Sequence, residues 1–357
     1  MKTKIVRAEA FSVKLQLKEP FVIANETTEA ADNIFIRLET GTGIVGWGCS
    51  TPDAVTSETK DTVLRSFEVA KRLVVGCDPT RVNLVNFVLE SELAGNPSLK
   101  AGVNMALYDI VGKIAGIPLF RLLGGYREKI ETSVTVGLNS TDLMVTKAKQ
   151  IVASGFKSIK VKCGVNVKQD IQNILAIREA VGSAIKLRLD ANEGYSVEDA
   201  LMIVKTLEEM GADIEILEQP TKAKYLYSLK DVTHQCSVPI MADETALTLR
   251  DSVKLVKLEI ADMINIKLMK IGGITNAIKA NALAELAEVP VMLGCMNESM
   301  AAMSAGVHFA CAFRNVEYAD LDSALDFTDD VAKGGARYED GYVIPSEEPG
   351  LGVEVQL

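Results

Sequence analysis

"KSIKVKCG" (157–164) and "IKLRLDAN" (185–192) are built alike: a short apolar run closed by polar residues, with a helix-period segment between them. Side chains alternate along a strand, so Lys160 and Lys162 share one face. Two ammonium groups on one face of an apolar strand repel each other and are costly to desolvate. Working outward, the same construction recurs in "IETSVTVG" (130–137), "IEILEQP" (214–220), "PIMADET" (239–245), "DMINIKL" (262–268), "PVMLGC" (290–295) and "NVEYADLD" (315–322). These eight strand candidates lie roughly 23 to 30 residues apart, and eight strand–helix units close a (β/α) barrel. An open doubly wound sheet is the alternative, but no GxGxxG follows the first strand and eight units is many for an open sheet.

The chain ahead of this series reads differently. "IVRAEAFSVKLQL" and "NIFIRLETGTGIVGWG" alternate like antiparallel strands, the second broken by a Gly-rich turn. Helical patterns follow in "SETKDTVLRSFEVAKRLVVG", "DPTRVNLVNFVLESEL" and "SLKAGVNMALYDIVGKIAG". Asp78 and Pro79 are expected as N-cap and first residue of the second helix. This is an α+β arrangement ending near "IPLFRLLGG".

The 357 residues suffice for a large domain plus a smaller one. A net charge of -10 argues against nucleic acid as a partner. No stretch has the length of a membrane span, and the start lacks a secretory apolar core, so a cytoplasmic protein is expected. Six scattered cysteines without CxxC or zinc spacing read as reduced thiols. With His234 and His308 the only histidines, acid–base work falls to Lys, Asp or Glu.

In a barrel, chemistry gathers at the C-terminal ends of the strands. Those ends carry Thr135, Lys160 with Lys162, Asp190 with Asn192, Glu218, Asp243, Lys267, Asn297, and Asp320 with Asp322. Asp190, Glu218 and Asp243 come from successive strands, and three converging carboxylates repel unless a cation sits among them. An all-oxygen set that leaves room for substrate suits Mg²⁺, one per subunit. The competing role for each acid is N-cap of the helix that follows. Lys162 and Lys267 flank the carboxylates. Two lysines on opposite faces of a bound substrate can remove a proton from one side and return one from the other, inverting a carbon. A metal on the substrate carboxylate would stabilise the enediolate, and a close ammonium would keep the base lysine neutral.

"KVK" (160–162), "DAN" (190–192), "EQP" (218–220), "ADET" (242–245) and "NIKLMKIGGI" (265–274) together resemble the enolase superfamily, specifically its muconate lactonizing enzyme subgroup. "AGIPLFRLLGG" (115–125) is similar to that family's entry into its barrel. The resemblance covers essentially the whole chain. It implies a (β/α)7β TIM-like barrel over 126–325 beneath an α+β capping domain, made from 1–125 and the C-terminal segment 326–357. It also implies a homo-oligomer, Lys160 polarising the substrate carboxylate beside Thr135, and Asn192 supporting the metal site. Glu193 and Tyr195 depart from the Gln and Trp expected after "DAN".

The D-x-D of Asp320 and Asp322 resembles the dipeptide epimerases, where such a pair holds the substrate's N-terminal ammonium. A solvated acidic rim is the competing reading. Relatives acting on Ala-Glu resemble one another in carrying an Arg in the first capping loop; here that loop has Ala24, Asn25 and Glu26, and no Lys or Arg between Lys18 and Arg37. A hydrophobic dipeptide would use Phe21, Val22, Ile23 and Met296; a cationic one Glu26 or Glu298, beside Asn297. Cys49 stands where relatives commonly have an acid, which favours the neutral option. The expectation is an Mg²⁺-dependent dipeptide epimerase, an isomerase, acting on hydrophobic rather than acidic dipeptides. N-acylamino acid racemase and o-succinylbenzoate synthase use the same lysines and are the alternatives. A non-catalytic metabolite-binding barrel would have no use for two opposed lysines.

Overall fold

The N-terminal alternation folds into an antiparallel meander of Ile5–Ile23, Glu26–Thr40 and Val45–Ser50, in the computed structural model, which describes residues 4–24 and 26–357. Asn25 of the capping loop lies outside the described residues. One face of the sheet buries Ala8, Ile34, Ile36 and Leu38 against helices Lys60–Val74, Val82–Glu92 and Pro97–Ala115. The glycines of "VGWGCS" explain the close fit. A Cβ on Gly48 would stand 1.9 Å from the carbonyl oxygen of Gly102, and one on Gly46 2.2 Å from that of Ala106. The longest helix thus lies directly on the strand backbone.

Asp78 does not cap the second helix. That helix begins at Val82 behind Arg81. Asp78 instead accepts hydrogen bonds from the backbone N and the hydroxyl of Thr80, a local turn that competes with capping.

Eight parallel strands follow: Ser133–Val136, Ser158–Lys162, Lys186–Asp190, Ile214–Glu218, Ile240–Ala242, Met263–Lys267, Val291–Gly294 and Val316–Asp320. Each pairs with the next, and a parallel bridge between Thr132 and Ala319 joins first to last. The sheet is therefore a closed barrel without free edges. A helix follows each of the first seven strands, giving the (β/α)7β order. Outward side chains such as Ile159, Val161, Leu187 and Leu189 pack under the helices in one large core. Inside, Ile216, Met241, Met263 and Met292 form a separate apolar plug with Tyr318 against it. Period-two alternation then lifts the next inward residues, Glu218, Asp243, Asn265 and Asp320, to a layer nearer the mouth.

The C-terminal segment is shared. Leu17 bridges Phe327, and Lys18 N donates to the Asp326 carbonyl. Beyond that, Ala332–Gly334 pairs with Val353–Val355, and Tyr342–Ile344 pairs with Arg337–Glu339 and with Ile130–Glu131 just ahead of the first barrel strand. Among the described residues no helix is long and apolar enough to cross a membrane.

Candidate active site

Parallel register places Lys162 beside Asp190 and Asp190 beside Glu218. Ligand atoms of Asp190, Glu218 and Asp243 lie within 4.8 Å of one another, and all three residues are buried. Helix capping does not account for them. The helices after their strands start behind Ser196, Tyr225 and Thr248, and Ser196 and Thr248 supply capping oxygens.

Each carboxylate is held from the side. Asp190 accepts from Lys162 Nζ at 2.7 Å, Glu218 from Asn265 Nδ2 at 2.7 Å and Asp243 from Lys267 Nζ at 2.8 Å. Lys270 Nζ also bonds the Asp243 carboxylate. Lys160 Nζ sits 2.9 Å from Asp190, 2.8 Å from Glu218 and 2.9 Å from Asp320, so it bridges the triad to the D-x-D. Burial alone would push this ammonium down, but Asp190, Asp320 and Glu218 outweigh it and hold it well above the usual lysine range. Lys267 is likewise pushed down by burial and carried above its ordinary value by Asp243. Burial lowers Lys270, with Asp243 opposing and Lys267 adding to the fall.

The same balance leaves the acids unequal. For Asp190, burial is outweighed by Lys160 and Lys162, and the carboxyl stays below its usual range. Glu218 is pushed up to about 7 by burial and by Asp190. An all-oxygen, buried triad in which the nearest ammonium already touches two members fits a hard divalent cation such as Mg²⁺, with Asp190, Glu218 and Asp243 as its holders.

Asp320 ends the last strand and accepts from Ser133 Oγ at 2.6 Å. Asp322 lies past the strand rather than on it, heading the short helix Ser323–Leu325, and accepts from Thr135 N at 2.7 Å. Both nevertheless face one cavity of about 390 Å³, together with Thr135, Lys160, Lys162, Asn192, Asp243 and Lys267. Burial and the neighbouring Asp320 push Asp322 up to about 7. Glu26, Met296 and Asn297 also line this cavity, as do Phe21 and Ile23. Glu298 does not. Its carboxylate turns inward to accept from Met296 N at 2.9 Å, and its own N donates to Ser323 Oγ, which ties the residue to its own turn.

Several residues went unread in the sequence. Asn265 stands two before Lys267 and shares its inward face, a signal that period two contains. Gln219 accepts from Asp243 N and Thr245 N at 2.9 and 3.0 Å, fixing the turn that carries Asp243. Nothing local in "EQP" announces that contact. Tyr195 donates to Asp170 at 2.8 Å and accepts from Gly164 N at 3.1 Å, tying the loops behind Lys162 and Asp190 together. Glu244, beside Asp243, accepts from Asn192 Nδ2 at 3.0 Å. Burial and Asp243 push it up to about 8.

An eight-stranded parallel barrel under an α+β cap, with lysines and carboxylates converging at its mouth, defines a TIM-barrel enzyme. The family model "Mandelate racemase / muconate lactonizing enzyme, N-terminal domain" matches residues 5–124, and "Enolase C-terminal domain-like" matches 143–357. The chain is 38% identical over 347 residues to an L-Ala-D/L-Glu epimerase of Clostridium acetobutylicum, covering 96% of each. It is 38% identical over 353 residues to a hydrophobic dipeptide epimerase of Enterococcus faecalis, covering 98% of this chain and 99% of the relative. The crystal structure of the Enterococcus faecalis V583 dipeptide epimerase complexed with Mg and L-Leu-L-Tyr superposes with a TM-score of 0.95 at 38% identity, covering 98% of this chain and 99% of that one. The protein belongs to the mandelate racemase / muconate lactonizing enzyme family of the enolase superfamily, and it is an isomerase.

Proposed function

We propose that the protein is a dipeptide epimerase that inverts the α-carbon of the C-terminal residue of an L,L-dipeptide. The observation that carries this reading is one cavity faced at once by Lys162, Lys267, the carboxylate triad and the Asp320–Asp322 pair. Mg²⁺ held by Asp190, Glu218 and Asp243 would supply positive charge to the substrate carboxylate as the α-proton leaves. Lys162 or Lys267 in its neutral form takes that proton, and the ammonium of the other lysine gives one to the opposite face of the carbon; a cation on Asp243 would offset the carboxylate charge that otherwise holds Lys267 protonated. Lys160 adds positive charge beside the triad. Asp320 and Asp322 are placed to receive a free α-ammonium, which N-acylated substrates lack.

Phe21, Ile23, Ala54, Val55 and Met296 give the cavity an apolar side. Among the described residues no cation lines it apart from Lys160, Lys162 and Lys267, each already bonded to a carboxylate. An acidic side chain would meet Glu26 and find no free cation among the described residues. These features support hydrophobic dipeptides, the class named for the Enterococcus faecalis relative.

The test is incubation of the Mg²⁺-loaded enzyme in D₂O with L,L-dipeptides such as Leu-Tyr and Ala-Glu, and with N-succinyl amino acids. Deuterium at the C-terminal α-carbon with accumulation of the D-epimer is expected, faster for Leu-Tyr than for Ala-Glu. Turnover of N-succinyl amino acids with no exchange in any dipeptide would refute the proposal. Lys162→Ala and Lys267→Ala should each cut epimerisation by about 10³-fold or more.

A further inference from the structure

We propose that Glu244 is a positioning residue for Lys162, acting through the amide of Asn192; the inference rests on the two-lysine reading above. Asn192 follows Asp190 at the mouth with φ +39°, a left-handed backbone that asparagine tolerates better than most residues. Its Oδ1 accepts from Lys162 Nζ at 2.9 Å, and its Nδ2 donates to Glu244 Oε1 at 3.0 Å. The orientation is forced by chemistry. A lysine ammonium only donates, so the amide must show it the carbonyl. The NH₂ then points the other way and needs an acceptor. Glu244 is that acceptor, and it stops the amide from turning its NH₂ toward Lys162.

Stability does not explain this carboxylate. Its Oε2 is buried without a hydrogen-bond partner, a condition that costs stability. It stands next to Asp243 in a site already rich in acids and lines the same cavity as both lysines. What it gains there is the fixed amide. Lys267 is held by its own hydrogen bond, donating to Asp243 at 2.8 Å. Loss of Glu244 should therefore loosen one lysine of the two.

That asymmetry is the test. With saturating Mg²⁺ in D₂O, initial α-proton exchange is measured separately from the L,L- and L,D-epimers of one dipeptide. Lys162→Ala should abolish exchange from one epimer and Lys267→Ala from the other; if each abolishes both alike, the two-lysine reading falls and this inference with it. Given the split, Glu244→Ala should slow exchange by about 10–100-fold from the epimer that depends on Lys162, and by less than about 3-fold from the other. A weaker metal site would slow both alike. Glu244→Gln keeps an acceptor oxygen while removing the charge, and should restore the slow epimer to within about 5-fold of the parent. Adding Glu244→Ala to Asn192→Ala should cost nothing further. Equal slowing of both epimers by Glu244→Ala, or no rescue by Glu244→Gln, would overturn the proposal.

Discussion

Asn265 shows how a single inward amide prepares this site. Its Nδ2 holds Glu218 Oε1 at 2.7 Å, from a strand two removed in the sheet order, and so fixes where the carboxylate points. Groups that orient metal-holding carboxylates typically alter affinity by about 10–100-fold when removed. Asn265→Ala should weaken Mg²⁺ binding by that factor in a calorimetric titration. Unchanged affinity would show that Glu218 is held in place without it. The opening pair of lysines finds its reason at the same scale. Lys160 and Lys162 share a face, as alternation requires, and they share Asp190; Lys160 also meets Glu218 and Asp320, and Lys162 donates to the Asn192 amide oxygen. Three acids around two ammonium groups turn a repulsive pair into a compensated one.

At the scale of elements, the cap depends on one helix lying against one strand. Gly46 and Gly48 have no side chain because Pro97–Ala115 occupies the space where a Cβ would stand. Gly48→Ala would bring a methyl to 1.9 Å from a backbone oxygen, a contact that backbone must yield to. Destabilisation of about 3 kcal/mol is expected from urea unfolding, at the upper end for overpacking. A loss under about 0.5 kcal/mol would mean that helix and strand separate easily. The loops of the barrel obey the same constraint. Gly164, at φ +101°, would place a Cβ 2.1 Å from the Ala191 carbonyl oxygen, so the turns after Lys162 and Asp190 touch backbone to backbone. Tyr195 pins that contact through Gly164 N and Asp170, which gives a physical role to a residue that departs from the family pattern.

For the whole molecule, His308 marks a joint between parts. It lies on barrel helix Met300–Ala312, accepts from Phe120 N at 3.1 Å on Nδ1 and directs Nε2 to the Leu351 carbonyl at 3.3 Å. Barrel, entry segment and C-terminal tail meet on one imidazole. Burial pushes its pKa down to about 4, against about 6.5 for a free histidine. The folded state therefore resists a proton that the unfolded chain accepts. Above pH 6.5 both states are neutral and there is no penalty; as pH falls from 6.5 toward 4 the unfolded state gains, and below 4 this loss levels off. Linkage gives about 2 kcal/mol lost between pH 7 and pH 5 from this group. His308→Gln should lose about that much less over the same interval in urea unfolding. Equal losses in both proteins would clear the imidazole of the effect.

The periodicities of the chain by themselves determined the eight-strand count, the antiparallel cap and the strand ends that carry polar residues, because alternation and strand–helix spacing are local properties of a sequence. They also put Lys160 with Lys162 on one face and brought Asp190, Glu218 and Asp243 to successive strand ends. What remained illegible depended on contacts between distant segments. Glu298 reads as an acid at the mouth, yet its carboxylate closes its own turn. Asp322 reads as part of a strand, yet the strand ends at Asp320. Asp78 reads as a helix cap, yet Thr80 takes its oxygen. Asn265, Gln219 and Glu244 gain meaning only when the barrel closes and sets them against Glu218, Asp243 and Asn192. Hydrogen-bond partners are chosen by distance and direction, and for groups on different strands only the tertiary structure fixes either.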